Sequence, residues 1–394
     1  MRETFELKIF ATRKPSDKRS KTEMRCNLAC RSYRPLLRAL VRGWWLFALL
    51  ILLCSNAGAS DVTFRQFRTG VTPEAGETLQ GRCYYQLLLP LANLPVRSVF
   101  VIFERGWQVG NLYYDPAIVD FAASHQMGLL LAQHCRSQER EDMDVVPEHG
   151  IGRALLTALN QFASDSHHSE LSEVPLSFFS FSGGGSLVAR MAGYAPARTL
   201  ALIAYAPGQY EPLGIDTIDL PQKALAVPQL IIANGADHVN GTARPYLYFQ
   251  KYRRQGAPLT FVIQNRTPHC CITNVTPLML VWLDAVIRER QPLSNGSALR
   301  TIDQNQDWLG WLKVEDSGIK DHWQTKSWNV SSAEAKPFEK ETDTSASEIV
   351  LPNTADGDVP SVGELVTSWL PSNAFASVWL EFEHKKEHPI TPLE

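Results

Sequence analysis

Several things are missing from this 394-residue chain, and each absence removes a class of function. The apolar run at residues 44–54 is shorter than the about 20 residues a membrane crossing needs. Basic residues are scarce beyond the start. Residues 1–42 hold 12 Lys/Arg against 4 Asp/Glu, a net of +8, and with −3 for the whole chain the remainder stands at −11. A body of that sign argues against nucleic acid as a partner. No lysine follows the glycines at 183–185, where Ser186 and Leu187 stand, so the run is not a phosphate-cradling P-loop. No acid ends the next apolar stretch, which closes at Tyr205-Ala206-Pro207, so the run is not a dinucleotide fingerprint either. The cysteines outside the N-terminal segment, Cys83, Cys135, Cys270 and Cys271, form no paired C-x-x-C motifs, so their spacing does not suggest zinc. No internal repeat is present, and no metal or organic cofactor is implied.

What is present begins with a leader. The basic segment runs into residues 44–54 and then Ser55-Asn56-Ala57-Gly58-Ala59-Ser60. Positive charge, a short apolar core and an A-x-A site make a secretory signal peptide. The basic part is long for a leader, which points to Met24 as the start of translation. An uncleaved inner-membrane anchor is the alternative. Export, to periplasm or medium, would let the four remaining cysteines oxidise; four cysteines allow three pairings, and the sequence chooses none of them. A bridge at Cys270 and Cys271 would stiffen the loop of the adjoining His269.

Beyond residue 59, apolar strands alternate with helical patterns. Strands are expected at 81–90, 98–103, 128–132, 174–181, 199–205, 228–233 and 259–263, with helices at 116–125, 150–164, 187–193, 242–255 and 275–289. This order predicts an α/β fold with a mostly parallel sheet and helices on both faces. In such sheets chemistry collects at the carboxyl ends of the strands. The strand at 174–181 stops at Ser182 and three glycines and gives way at once to a helix, the geometry of a nucleophile elbow. The positions two before and two after Ser182 must be small, and they are Ser180 and Gly184. Gly183 can offer its N–H to an oxyanion. Taken alone, the stretch also reads as a purely structural turn. The strand at 228–233 ends in Asn234-Gly235-Ala236-Asp237, and the strand at 259–263 leads to Thr267-Pro268-His269. Ser, Asp and His thus follow one another on successive strand ends. Each alone has a plainer reading: Asp237 as a helix cap, His269 as a loop histidine. His238 reads as part of a polar turn, His134 as a strand-end residue that could line the cleft, and Asp216 and Asp219 as weaker acids. His149, His167 and His168 lack a strand-end context.

The segments F-S-F-S-G-G-G, N-G-A-D and T-P-H-C resemble the nucleophile, acid and histidine loops of the α/β-hydrolase superfamily, over roughly residues 80–292. The resemblance implies Ser182 as nucleophile, His269 as general base and acid, and Asp237 as orienter of the imidazole. By the same likeness the N–H of Trp107 joins that of Gly183 in the oxyanion hole, with Arg105-Gly106 where the family often has His-Gly. Arg105 either faces the substrate or pairs with Glu104. The expected activity is that of a serine esterase acting on a small-molecule or polymer-borne ester. A peptidase or acyltransferase with the same triad, and a non-catalytic envelope-binding protein of the same fold, are the alternatives. The connection between Pro207 and Val227 is short, leaving little room for a cap and suggesting an open cleft.

Three segments are expected: leader 1–59, catalytic domain 60–295 and a Trp-rich extension 296–394. The extension holds Trp308, Trp311, Trp323, Trp328, Trp369 and Trp379 and ends in a helix near 372–380. Residues 329–363, rich in Ser, Glu, Asp and Thr, are expected to form a flexible loop. The tryptophans either pack the extension onto the domain, the favoured reading, or stack on sugar rings.

Overall fold

The computed structural model describes residues 6–7, 64–90, 94–105, 107–136, 145–208, 218–320, 326–340, 342–343 and 363–388. Two units are distinguished, 6–63 and the rest. Of the first only Glu6–Leu7 is described, and it is extended. The signal peptide, the A-x-A site, Gly106, residues 209–217 of the short 207–227 connection with Asp216 among them, and Trp323 lie outside the described residues. Among those described, no helix is long and apolar enough to cross a membrane.

Eight strands form one sheet: β1 (Phe64–Val71), β2 (Cys83–Pro90), β3 (Ser98–Phe103), β4 (Met127–Gln133), β5 (Leu176–Phe181), β6 (Thr199–Tyr205), β7 (Gln229–Asn234) and β8 (Leu259–Gln264). Their order is β1-β2-β4-β3-β5-β6-β7-β8. Pairing is antiparallel on both sides of β2 and parallel from β4 onward. Every residue of β3, β6, β7 and β8 is buried, so both faces of the central sheet are covered. Helices α2 (Pro116–Ser124) and α6 (Thr276–Arg290) pack on each other on one side. On the other lie α3 (Ile151–Ser166) and α4 (Gly183–Tyr194), while α5 (Ala243–Arg253) packs on β8. A short helix, α1 (Trp107–Leu112), follows β3. This is the α/β-hydrolase architecture, and the apolar runs read from the sequence account for seven of its strands. Strand β1 carried no such signal, because its pattern is only partly buried.

The C-terminal residues build a second, smaller sheet. Strands β9 (Trp308–Lys320) and β10 (Lys326–Pro337) form a long antiparallel hairpin, and β11 (Gly363–Glu364) and β12 (Ser368–Leu370) also pair with β9. Helix α7 (Asn373–Glu383) ends the unit, capped by Ser372. The flexible loop expected at 329–363 is corrected here: its first part is the strand β10, and residues 344–362 lie outside the description. The polar composition misled because a hairpin with one solvated face needs apolar residues only on the other.

This unit covers the edge of β8, which would otherwise present unpaired backbone groups. Phe261 N–H donates to Ser368 Oγ at 3.0 Å, Ile263 N–H to Glu383 Oε1 at 3.1 Å, and the Phe261 carbonyl accepts from Trp379 Nε1 at 3.3 Å. Trp328, Trp369 and Trp379 are fully buried, and Trp308 and Trp311 are half-buried. The three buried rings pack the extension onto the sheet and offer no face for stacking sugars. Arg253 of α5, also buried, donates from Nε to the Thr367 carbonyl at 3.0 Å and lies 3.4 Å from Asp343.

Candidate active site

The elbow is built by a strand that must turn into a helix within one residue. Ser182 takes φ 56° and ψ −130°, a left-handed backbone that a side chain rarely adopts. Neighbours hold it there: its N–H donates to the Tyr205 carbonyl at 3.0 Å, and its own carbonyl accepts from Gly185 and Gly208 at 2.8 and 3.1 Å. Gly184 permits the turn. A Cβ at that position would run into Ser180 Oγ and stand 2.9 Å from Ser180 Cβ. Ser180, fully buried, donates from Oγ to the Phe103 carbonyl at 2.8 Å, which ties the elbow to the end of β3. Gly183 opens α4, where backbone N–H groups have no partner within the helix.

The acid and histidine arrive from the ends of β7 and β8. His269 Nε2 lies 3.0 Å from Ser182 Oγ, and His269 Nδ1 lies 2.7 Å from Asp237 Oδ2. Asp237 is fully buried, and its other oxygen accepts from the N–H groups of Val239 and Asn240 at 2.8 and 2.9 Å. The carboxylate therefore caps the turn after it as well as facing the imidazole, so the plainer reading holds beside the chemical one. The Phe181 ring lies 4.7 Å from the imidazole, against the stacked Tyr205 ring. The arrangement can take a proton from the serine, hold it on the imidazole and stabilise the resulting cation.

Three further residues, not singled out in the sequence, sit behind the histidine loop. The Tyr205 hydroxyl donates to the Cys270 carbonyl at 2.6 Å and lies 2.9 Å from the Gln264 amide oxygen. Asn234 donates from Nδ2 to the carbonyls of Pro268 and Cys270 at 2.7 and 3.2 Å. The carbonyls of the residues before and after His269 are thereby held from the ends of β6 and β7. Burial pushes the Tyr205 phenol well above its ordinary pKa, so it remains a donor. The only sequence signal for this was polar residues closing otherwise apolar strands.

The remaining candidates fall elsewhere. Trp107 begins α1, the helix after β3, and its side chain lies outside the described atoms. His238 is exposed, and His134 is exposed against the Tyr84 ring at the end of β4. Asp219 faces Lys251 at 3.3 Å on the surface. Cys270 is bridged to Cys271 directly beside His269, and Cys83 to Cys135.

No family model and no curated protein matches this chain in sequence. Solved structures do resemble it. The S-formylglutathione hydrolase of Staphylococcus aureus is 10% identical with a TM-score of 0.40, covering 56% of this chain and 99% of its own. An esterase of Pyrococcus furiosus is 11% identical at TM-score 0.38, over 58% and 92%. A fungal esterase from Rhizomucor miehei is 15% identical at TM-score 0.40, over 59% and 85%. What the site of this chain can do is read from its own side chains.

Proposed function

We propose that the protein is a serine hydrolase that cleaves carboxylic esters through an acyl-enzyme, and that it works outside the cytoplasm. One observation carries the chemistry: the unbroken line from Ser182 Oγ to His269 Nε2 at 3.0 Å and from His269 Nδ1 to Asp237 at 2.7 Å. His269 removes the Ser182 proton as Oγ attacks the ester carbonyl. The oxyanion that forms is met by the N–H of Gly183 and, in this reading, that of Trp107. Collapse of the tetrahedral species breaks the bond to the alcohol, which leaves with the proton from His269. Water then attacks the acyl-Ser182 with His269 again as base, releasing the acid and restoring the serine. Asp237 holds the tautomer and stabilises the imidazolium.

Support for export comes from the leader pattern in residues 1–59 and from two disulfides in the body. A fluorophosphonate probe tests the nucleophile: the wild-type protein should be labelled and Ser182→Ala should not. A panel of esters of varied acyl length, with matching amides and added alcohol acceptors, tests the reaction. Hydrolysis of esters well ahead of amides and of transfer to alcohols is expected. Preference for amides or for transfer would favour a peptidase or an acyltransferase instead. Turnover peaking at long acyl chains would remove the open-cleft expectation.

A further inference from the structure

Strand β10 belongs to the C-terminal unit, yet its first residues meet both loops that carry the acid and the histidine. Ser327, fully buried, donates from Oγ to the Asp237 carbonyl at 3.0 Å. The Trp328 N–H donates to Thr242 Oγ1 at 2.8 Å. Asn329 Oδ1 accepts from the Arg266 N–H at 2.8 Å. The Val330 N–H donates to Asn265 Oδ1 at 2.6 Å. The N–H groups of Trp328 and Val330 point the same way, as the two-residue period of a strand requires. Two of these bonds reach the acid loop, and two reach the residues that lead into His269.

The loops are shaped to receive the strand. Arg266 has φ 53°, a left-handed backbone that a side chain tolerates only when held. Its N–H is the one that Asn329 accepts. At Gly235 a Cβ would stand 2.9 Å from the Trp328 carbonyl, so the strand lies against the turn two residues before Asp237. The Ala236 N–H donates to the Thr267 carbonyl at 2.9 Å, which joins the two loops to each other. Asn265 also donates to the Glu383 and Lys385 carbonyls at 3.3 and 2.9 Å, bringing the end of α7 into the same knot.

We infer that Ser327 and Asn329 are positioning residues for the Asp237–His269 pair, and that the C-terminal unit is part of the working site. The inference rests on the reading of Ser182, His269 and Asp237 as a triad. Acid and histidine come from separate loops, so their spacing is set by whatever fixes one loop against the other. The Ala236–Thr267 bond, the Gly235 N–H on the Gln264 carbonyl and the Asn234 amide on the Pro268 and Cys270 carbonyls tie the loops directly, and the β10 strand grips both from outside. A misplacement of about 1 Å can cost about 100-fold in rate.

The test uses the full chain as wild type, Asn329→Ala, Asn329→Asp, Ser327→Ala and Ser182→Ala. Labelling rate with a fluorophosphonate and kcat and KM on a p-nitrophenyl ester are measured, alongside unfolding curves. Asn329→Ala and Ser327→Ala should each label about 10-fold or more slowly per folded molecule, with kcat lowered and KM little changed. Asn329→Asp keeps an acceptor for Arg266 and should recover most of the rate. Wild-type rate in folded Asn329→Ala would overturn the inference alone, and so would lower stability without a slower rate per folded molecule. A wild-type protein that is not labelled, or that labels as fast as Ser182→Ala, would overturn the triad and the inference with it.

Discussion

Replacing Gly184 with alanine probes how tightly the elbow is built. The new methyl would stand 2.9 Å from Ser180 Cβ and 3.4 Å from Arg105 Cβ, and would run into Ser180 Oγ. That hydroxyl cannot simply swing aside, because it is buried and committed to the Phe103 carbonyl at 2.8 Å. Overpacking of this kind costs about 1–3 kcal/mol. Losing the Ser180 bond adds about 1 kcal/mol. Alanine's better fit to a helix offsets about 0.5–1 kcal/mol. The net expectation is a loss of about 2 kcal/mol, on the order of 30-fold in the folding equilibrium. Ser180→Gly removes the obstacle at a cost of its own of about 1–2 kcal/mol, for the lost bond and a glycine in a strand. In that background Gly184→Ala should cost nothing or stabilise slightly, giving a coupling of about 2 kcal/mol between two sites in contact. Urea unfolding of the four proteins reads the stability, and ester turnover reads the tilt imposed on Ser182 between them. If Gly184→Ala costs the same in both backgrounds, within about 0.5 kcal/mol, the packing account of the elbow is wrong.

Other expectations follow from the same contacts. Ser182→Ala and His269→Ala should each abolish most ester turnover, and the double variant should lose little more, because the groups act as a unit; Asp237→Asn should be similar or milder. The Cys83–Cys135 bridge spans 52 residues and should contribute about 4 kcal/mol in the chain-entropy account. Mass spectrometry after alkylation should find no free thiol at either position, and Cys83→Ala/Cys135→Ala should unfold at much lower urea. Burial holds the Glu383 carboxyl well above its ordinary value of 4.5, against the opposing pull of the Ile263 N–H. A raised acid contributes its full stability below that value and loses it as pH climbs towards the folded pKa. Glu383→Gln should therefore be relatively more stable at pH 8 than at pH 4, measured against wild type by urea unfolding at both. Intact mass of the exported protein should place its first residue near Ser60; a mature form that keeps residues 44–54 would instead be anchored.

Much of the site could be read before any fold was seen. Ser182, Asp237 and His269 each follow an apolar stretch too solid to be anything but a buried strand, and parallel strands bring their ends to one edge. Sequence order along the chain therefore became proximity in space, and the three side chains meet within 3.0 Å. The glycines after Ser182 were legible for a similar reason, since close backbone approach leaves a mark in residue size. Tyr205, Asn234 and Gln264 left only a faint mark. A polar residue closing a strand has many uses, and what fixes its role is the loop that returns from another strand.

The C-terminal unit belongs to tertiary structure almost entirely. Its tryptophans announced a need for burial without saying against what; the answer is the open edge of β8, where Ser368, Glu383 and Trp379 take the backbone bonds a ninth strand would have made. Strand β10 was hidden because its solvated face carries the polar residues that elsewhere mark disorder. The contacts of Ser327 and Asn329 with the acid and histidine loops span 90 and 63 positions along the chain. Local propensity does not encode such separations. Periodicity and residue size along the chain were enough for seven strands of the main sheet, the elbow and the order of serine, acid and histidine. Only the packed structure decided what holds the acid loop against the histidine loop, because that depends on which surfaces remain uncovered once the sheet has formed.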